Sequence, residues 1–155
     1  MRIRPLQDKD YGEVREIDAL TQRTYLGVSW DTMSFDEQEQ CLKTKQSEYS
    51  LNVETGYSFV AEGEDGRIAG FVLAFESMPF KGTVHIRHIG VHPNSQRESV
   101  GLQLYQQVIE QAKLNGIVEM RALINLDNAP SLRLHAKAGF SLQERVEARL
   151  SIEGS

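Results

Sequence analysis

The pattern of hydrophobic and polar positions divides the chain into alternating β and α segments. Four apolar runs with strand character occupy residues 57–62, 67–75, 83–91 and 119–124, and the tetrad 63–66 joins the first two as a hairpin. Apolar residues at 100, 104, 105, 108, 109 and 112 have helical spacing and predict a helix over 99–115, which Asn115-Gly116 ends. A second helix is predicted from Asn128 to Gly139.

The two ends of the chain complete the order of elements. Residues 1–4 predict a strand, Asp8 or Asp10 caps a helix with apolar positions 14, 17 and 20, and residues 21–32 indicate a loop. The capping-box pair Ser34 and Glu37 predicts a polar helix to about Tyr49. Residues 140–152 predict a last β region. The resulting order, β-α-α-β-β-β-α-β-α-β, predicts an α/β (α+β) fold with a mixed sheet.

Composition and charge narrow the class of protein. The 155 residues are 40% hydrophobic and 25% charged, which is typical of one globular domain, 1–155. The single cysteine, Cys41, excludes an internal disulfide and a Cys-rich zinc site. The formal net charge of −5 argues against general nucleic-acid binding. No secretory leader or membrane-length apolar run is visible, so we expect a cytoplasmic protein without a membrane partner.

The stretch from Ile89 to Leu102 has the chemistry of a phosphate site. An apolar strand ends there, a polar loop follows, and a helix begins, so the first-turn amides of that helix lack internal acceptors. Such a helix start favours a phosphate or a diphosphate, and Gln96 and Arg97 can reach phosphate oxygens. An ordinary turn before a helix explains the same residues about as well.

Two motifs in this region and beyond it resemble the GCN5-related N-acetyltransferases, the GNAT superfamily. Val91, Pro93, Gln96, Arg97 and Gly101 match the pattern V-x-P-x-x-[QR]-[RG]-x-G-x-[GA], in which Ser99 replaces a glycine. The run Asn128 to Phe140 resembles the second motif, N-x-x-S/A-x-x-L-Y-x-K-x-G-F, through Asn128, Ser131, Leu134, Lys137, Gly139 and Phe140. His135 stands where the family most often has tyrosine. The resemblance covers roughly residues 2–150.

The resemblance implies a twisted, mostly antiparallel sheet of six or seven strands with flanking helices, splayed between strands 4 and 5. Acetyl-CoA would lie in that opening as the acyl donor, with no metal. The residues that the motifs assign to it are Ile89, Gly90, Val91, Gln96, Arg97, Glu98, Ser99, Val100, Gly101, Leu102, Asn128, Ser131 and His135. Ile89 and Val91 would bond pantetheine through their backbone, and the amides from Gln96 to Leu102 would hold the diphosphate. The Ser99 side chain would either crowd a close diphosphate or add a hydrogen bond to it.

The catalytic groups are predicted among the histidines. His135 would donate a proton to the departing thiolate in place of the family's tyrosine, or would merely pack on its helix. The fourth strand has no acid, so His88 and His85 are the candidate bases. Water-mediated transfer and an acid from the N-terminal helices are the alternatives. Strict alternation puts His85 and Arg87 on one face and His88 on the other, unless a bulge near Gly90 intervenes.

The sequence therefore predicts an acetyl-CoA-dependent N-acetyltransferase that works by direct attack of a primary amine, most plausibly on a small molecule. Tyr25 and Trp30 in the loop after the first helix would line the acceptor pocket or close the core. A non-catalytic acyl-CoA sensor, a protein N-terminal or lysine acetyltransferase, and use of succinyl- or propionyl-CoA remain alternatives. A homodimer is possible.

Overall fold

The computed structural model describes residues 1–96 and 99–153. Its strands are β1 (Arg2–Pro5), β2 (Phe59–Glu62), β3 (Ile68–Glu76), β4 (Thr83–Val91) and β5 (Glu119–Ala122). Its helices are α1 (Tyr11–Leu26), α2 (Val28–Asp31), α3 (Phe35–Cys41), α4 (Tyr49–Glu54), α5 (Val100–Leu114) and α6 (Ala129–Ala138). Short 3₁₀ turns lie at Asp8–Asp10, Gln46–Glu48 and Pro93–Ser95.

The strands form one mixed sheet in the order β1-β2-β3-β4-β5. The pairs β1–β2, β2–β3 and β3–β4 are antiparallel, and β4–β5 is parallel. The expected mixed, mostly antiparallel sheet and the β2–β3 hairpin are confirmed. Over the described residues the sheet has five strands, fewer than the six or seven expected.

The shortfall lies at the C-terminal end. Residues 140–153 contain no strand, and every residue from 141 to 153 is exposed. The prediction of a last β region is therefore wrong for the single chain. Alternating side chains show which face of a strand would be buried, but a strand exists only where a neighbour accepts its backbone hydrogen bonds.

The N-terminal helices also differ from the prediction. α1 continues through the expected loop to Leu26 and ends at Gly27, whose φ of 58° is easy only for glycine. α3 ends at Cys41 rather than near Tyr49. The chain turns extended at Leu42, which is buried. The carboxylate of Asp18 then accepts the next two amides, from Lys43 and Thr44, which gives them an acceptor outside any helix.

Two hydrophobic clusters cover the two faces of the sheet. α5 packs on one face, where Val100, Leu104 and Val108 meet Val72 and Ala74 of β3. α1 packs on the other face, where Val14 and Ile17 meet Phe71 and Leu73 of the same strand. We call these the α5 face and the α1 face.

None of the helices in the described ranges is both long and apolar enough to cross a lipid bilayer. The cytoplasmic location stays a prediction from the sequence.

A buried ionic network ties β1 to its surroundings. The Arg4 guanidinium donates two hydrogen bonds to Asp10, at 2.8 and 2.9 Å, and one to Glu62 at 2.6 Å. Burial alone would raise the pKa of Asp10, but the hydrogen bonds from Arg4 and from the Gln7 amide lower that pKa on balance. Asp10 is therefore ionised in the folded protein and compensates the charge of Arg4.

Replacing Asp10 with alanine leaves the buried Arg4 charge with only its Glu62 partner. We expect Asp10→Ala to lower the free energy of unfolding by about 3 kcal/mol, the typical cost of breaking a buried ion pair from one side. The measurement is urea denaturation followed by circular dichroism. Asp8→Ala is the matched control, because Asp8 is exposed two residues away. Equal stabilities of the two variants would contradict a structural role for the network.

Candidate active site

The sheet opens between β4 and β5. Their parallel pairing runs from Thr83 opposite Glu119 to Ile86 opposite Ala122, where β5 ends. β4 continues to Val91 while still paired with β3 on its other side. The part of β4 from 87 to 91 thus has one free edge, and we call the space beside it the strand gap. The splay expected between strands 4 and 5 is confirmed.

Backbone groups of Ile89 and Val91 point into the strand gap. The amide of His92 donates to the Ala69 carbonyl at 2.8 Å, so the backbone at 92 faces β3. In an antiparallel pair, successive residues face opposite edges. Gly90 therefore faces β3, where it is paired with Phe71, and Ile89 and Val91 face the gap. Ile89 and Val91 therefore have backbone groups free on the gap side, and bonding of an extended ligand there stays a prediction, whereas Gly90 faces the neighbouring strand.

Gly90 instead serves the packing of the α1 face. A Cβ atom at Gly90 would lie 2.8 Å from Cε1 of the Phe71 ring. The glycine lets that ring lie across β4. Its place among the predicted cofactor residues is not supported by the direction of its backbone.

The loop after β4 leads into α5. Gln96 lies exposed in a turn before it, whereas Arg97 and Glu98 of the predicted phosphate loop lie outside the described residues. Ser99 is the N-cap of α5, and its side chain makes no capping hydrogen bond. The first-turn amides, from Val100 to Leu102, thus receive no cap from the serine hydroxyl.

Ser99 has a left-handed backbone, with φ 58° and ψ 26°. It is the only non-glycine residue with positive φ in the described part of the chain. This conformation is the physical reason why glycine suits the position in the motif, since a Cβ atom there costs roughly 1–2 kcal/mol. The main physical effect of serine in place of the motif's glycine is therefore strain in the backbone at position 99.

Gly101 and Val100 serve the packing of α5. A Cβ atom at Gly101 would lie 3.0 Å from both methyl carbons of Leu134 on α6, and Val100 is fully buried in the α5-face cluster. The motif glycine thus allows α6 to approach α5. Any ligand contact at either residue would come from its backbone amide, as it would at the half-buried Leu102.

Asn128 and Ser131 shape the start of α6. The Asn128 side chain accepts a hydrogen bond from the Ser131 amide at 3.3 Å and caps the helix. Both residues are half-buried and follow the loop that leaves β5. The structure thus gives Asn128 a capping role at the start of α6.

His135 is enclosed between α6 and α5. It is 2% exposed, with Nδ1 2.7 Å from the Ser131 carbonyl and Nε2 2.5 Å from the Tyr105 hydroxyl. A carbonyl only accepts, so Nδ1 carries the proton and Nε2 accepts from Tyr105. Burial lowers the pKa of His135, although the hydrogen bond to the Ser131 carbonyl acts in the opposite direction. The lowered pKa favours the neutral ring. These contacts favour the packing alternative over the general acid.

A bulge in β4 decides which histidines share a face. The register shifts so that Leu73 faces His88 while the next residue, Ala74, faces Ile86, which leaves Arg87 as the extra residue. His85 and His88 consequently lie on the same face, the α1 face. The prediction from strict alternation is wrong here, because the bulge lies at Arg87 rather than near Gly90.

His88 meets a buried carboxylate of α1. Asp18 is fully buried, and its Oδ2 accepts hydrogen bonds from the Lys43 amide, the Thr44 amide and the Thr44 hydroxyl. Its Oδ1 lies 3.6 Å from Nε2 of His88. Among the described residues, these two atoms are the only buried side-chain nitrogen or oxygen atoms without a hydrogen-bond partner.

The two unsatisfied atoms lie between Asp18 and His88, the first of the two predicted bases. The His88 side chain is 21% exposed although its Nε2 is buried. Burial lowers the pKa of His88 below its usual value, while the Asp18 charge acts in the opposite direction. A ring that is neutral near pH 7, with a carboxylate beside one nitrogen, can accept a proton at the other.

Asp18 is the functional candidate that sequence reasoning missed. The pattern did hold a signal, because residues 14, 17 and 18 fall on the same helical stripe and an acid there interrupts an apolar face. The sequence-based alternative of an acid from the N-terminal helices does not specify this residue.

His85 and Arg87 lie at the other end of the α1 face. The His85 ring stacks on Phe75, with centroids 5.4 Å apart. Arg87 pairs with Glu48, and both line a shallow cavity of about 250 Å³ together with Phe75 and residues of α4. Arg87 is therefore already paired within the chain.

The end of α1 is tied to the loop that precedes α6. The Tyr25 hydroxyl donates to Asp127 at 2.5 Å and accepts from the Asn125 side chain at 3.1 Å. Asp127 raises the pKa of Tyr25. Tyr25 thus connects α1 with the loop after β5, and its role in lining the acceptor pocket stays a prediction. Trp30, the other residue predicted there, lies on α2.

Comparison with known proteins identifies the class. Residues 1–153 match the family described as a protein of unknown function (DUF1999). The L-methionine sulfoximine/L-methionine sulfone acetyltransferase of Pseudomonas paraeruginosa is 30% identical over 119 residues, which are 74% of this chain and 69% of the relative.

Solved acetyltransferase structures share the fold. PaiA N-acetyltransferase from Thermoplasma acidophilum, in complex with coenzyme A, matches with a TM-score of 0.77 at 17% identity over 94% of this chain and 92% of its own. AAC(6')-Iy, in complex with a CoA bisubstrate analogue, matches with a TM-score of 0.70 at 20% identity over 97% of each chain. The fold is thus that of N-acetyltransferases. The chain belongs to the DUF1999 family and, with it, to the GCN5-related N-acetyltransferase superfamily.

The strained backbone at Ser99 gives a direct test of the phosphate-loop geometry. Ser99→Gly relieves the left-handed strain, partly offset by the greater freedom of glycine in the unfolded chain, for a net gain of roughly 0.5–1 kcal/mol. In a domain of this size we expect the melting temperature to rise by about 1–4 °C. Ser99→Ala is the control, because it removes the hydroxyl and keeps the strain. A rise of the same size for alanine would show that the hydroxyl, not the backbone, is responsible.

Proposed function

We propose that this protein transfers an acetyl group from acetyl-CoA to the primary amine of a small molecule, by direct attack in a ternary complex. The observation that carries the proposal is the free edge of β4, where Ile89 and Val91 face a gap beside a parallel strand that has ended. An extended, amide-containing arm can bond such an edge as an added strand would.

The donor-binding residues follow from this geometry. Pantetheine, which carries two amide groups, pairs with the backbone of Ile89 and Val91. The diphosphate lies at the start of α5, where the amides of Val100, Gly101 and Leu102 point outward from a positive helix end. Gln96 and Arg97 add side-chain contacts, as the motif implies, and Asn128 lies near the thioester.

The acceptor is proposed to be an amino acid or a close analogue. The relatives of known activity are named for L-methionine sulfoximine, L-methionine sulfone and L-amino acids. Arg87 could bind the carboxylate of such an acceptor only by exchanging its present partner, Glu48.

The reaction needs one proton taken from the acceptor ammonium before attack. We assign this task to His88, with Asp18 as the residue that positions it. When the Nε2–H of His88 faces Oδ1 of Asp18, the lone pair is left on Nδ1. A closure of the 3.6 Å separation by about half an ångström would form that hydrogen bond. His85, stacked on Phe75, is the second candidate for the base.

Bond changes then balance without an acyl-enzyme. The amine nitrogen forms a bond to the thioester carbon, the carbon–sulfur bond breaks, and the sulfur leaves as the thiolate of coenzyme A. The nitrogen then loses its second proton to give the neutral amide, and this loss balances the one proton that the thiolate takes up. His135 stays a prediction as the donor of that proton, because donation requires its contacts with Tyr105 and Ser131 to open.

A thiol-release assay tests the proposed reaction. We expect turnover with acetyl-CoA and an amine panel that contains methionine sulfoximine, methionine sulfone and the standard amino acids. Propionyl-CoA and succinyl-CoA in the same assay test the choice of donor, and a lysine-containing peptide tests the protein-acetyltransferase alternative. A thermal shift with acetyl-CoA but no turnover with any amine would instead favour the acyl-CoA sensor.

The role of Asp18 predicts a specific change in pH dependence. The Asp18 charge raises the pKa of His88, so Asp18→Asn should lower that pKa and move the acid limb of kcat/KM to lower pH. His88→Gln should remove the limb and cost roughly 10²-fold in kcat. The exposed Glu16 of α1 supplies the control, Glu16→Gln, with an unchanged profile. An acid limb that does not move in Asp18→Asn would remove Asp18 from the mechanism.

A further inference from the structure

The bulge in β4 places a cation next to the proposed base on the same face of the sheet. Arg87, the extra residue of the bulge, lines a cavity together with Phe75 and residues of α4. Phe75 follows Phe71 and Leu73 on β3 at period-2 spacing, and those two residues belong to the α1-face cluster. The Arg87 side chain therefore lies on the α1 face, where the His88 ring meets Phe71, although the two residues are consecutive in the strand.

Arg87 and His88 are also close enough to interact electrostatically. The charges of Arg87 and Lys43 lower the pKa of His88 in addition to the effect of burial, whereas the Asp18 charge raises it. The Cα atoms of consecutive residues lie about 3.8 Å apart, so Arg87 and His88 can contact different groups of one small molecule. An α-amino acid is such a molecule, because its ammonium and its carboxylate are attached to the same carbon atom.

The cavity beside Arg87 suits a small molecule that has one anionic group and an apolar part. Its volume is about 250 Å³, below the roughly 300–1,000 Å³ of pockets that hold drug-sized ligands. Among the described residues that line it, Arg87 is the one cation. Leu51 and Phe75 supply apolar surface and are 62% and 39% exposed. The cavity thus offers a contact for a carboxylate and, beside it, uncovered apolar side chains.

The carboxylate of Glu48 occupies the Arg87 guanidinium in this structure. Glu48 directly precedes α4, and within the described part of the chain Arg87 is the one ionic partner of its side chain. The two side chains are 34% and 36% exposed, and an ion pair of that exposure typically shifts an equilibrium by at most about five-fold. Hydrogen bonds from arginine to a carboxylate that is shielded from water contribute more, roughly 10- to 100-fold. A ligand carboxylate can therefore displace Glu48.

We propose that Arg87 recognises the α-carboxylate of a free amino acid whose amine is the acetyl acceptor, and that Glu48 is an internal competitor for the same guanidinium. This inference rests on the proposed acetyl transfer and specifies its acceptor. Protein N-termini and lysine side chains within a polypeptide carry no carboxylate beside the amine, so they lack this contact. Arg87 is thus a specificity-determining residue that selects free amino acids over peptides.

The test compares the acetylation of L-methionine sulfone with that of its carboxamide, which keeps the amine but has no negative charge. The same pair is measured for every amino acid that the amine panel shows to be acetylated. The carboxamide also changes the pKa of the amine, so the readout is the change in the acid-to-carboxamide ratio of kcat/KM between variants. Arg87→Gln should lower this ratio by roughly 10- to 100-fold, through a higher KM for the acid. Arg87→Lys should keep part of it, because lysine retains the charge but not the bidentate geometry.

Glu48→Gln should act in the opposite direction. Removal of the competing carboxylate should lower KM for the acid by up to about five-fold and leave KM for the carboxamide unchanged. The matched control is Glu54→Gln, which removes the same charge from the exposed last residue of α4 and should change neither KM. A pair that only stabilised the fold would not give opposite shifts of KM in the Arg87 and Glu48 variants.

The possible failures are distinguishable from one another. An acid-to-carboxamide ratio that Arg87→Gln leaves unchanged would overturn the inference and leave the acetyl transfer intact. A ratio that falls in Lys43→Gln but not in Arg87→Gln would overturn it too, and would assign the carboxylate to the other cation that acts on His88. Absence of turnover with every amine would refute the proposed function itself, and the inference with it.

Discussion

The continuation of β4 beyond the end of β5 is the constraint on which the rest of the site depends. A sheet normally satisfies both edges of an inner strand, and here one edge is satisfied only as far as Ile86. The remaining backbone donors and acceptors must find water or a ligand, because unpaired groups are costly once buried. The same strand leads directly into the loop before α5, so the free edge and the positive helix end belong to one continuous stretch of chain.

The two faces of this strand carry different chemistry. On the α5 face lie the helix that would receive the diphosphate and the enclosed pair of His135 and Tyr105. On the α1 face lie His88, its buried partner Asp18, and His85 near the shallow cavity. The strand gap separates the two sets. In the proposed mechanism, donor binding and amine activation therefore fall to different helices, α5 and α1.

Much of this could be predicted from the sequence. Strong periodicity located β4 and α5, the turn tetrad located the hairpin, and the resemblance located the gap. The left-handed backbone at Ser99 was not predicted, although the motif has glycine at that position. The bulge was harder to place, since period-2 alternation carries no information about one extra residue at Arg87. The pairing of Asp18 with His88 joins α1 to β4, a contact between distant parts of the chain that no local pattern shows. The prediction for the C-terminal segment failed for a third reason, because alternation indicates which residues suit a strand but not whether a neighbouring strand is there to accept their backbone hydrogen bonds.

The extra residue at Arg87 has a consequence for the whole upper half of β4. In a strand, shifting the count by one residue moves every following side chain to the opposite face. If β4 instead paired with β3 residue for residue through Arg87, without a bulge, the half of β4 below it would keep its orientation and the half above it would turn over, so that His88 would leave Asp18 and the apolar Ile89 and Val91 would leave α5. The bulge at one residue with an exposed side chain thus keeps the side chains of both halves of β4 directed toward the correct helices, α1 on one face and α5 on the other.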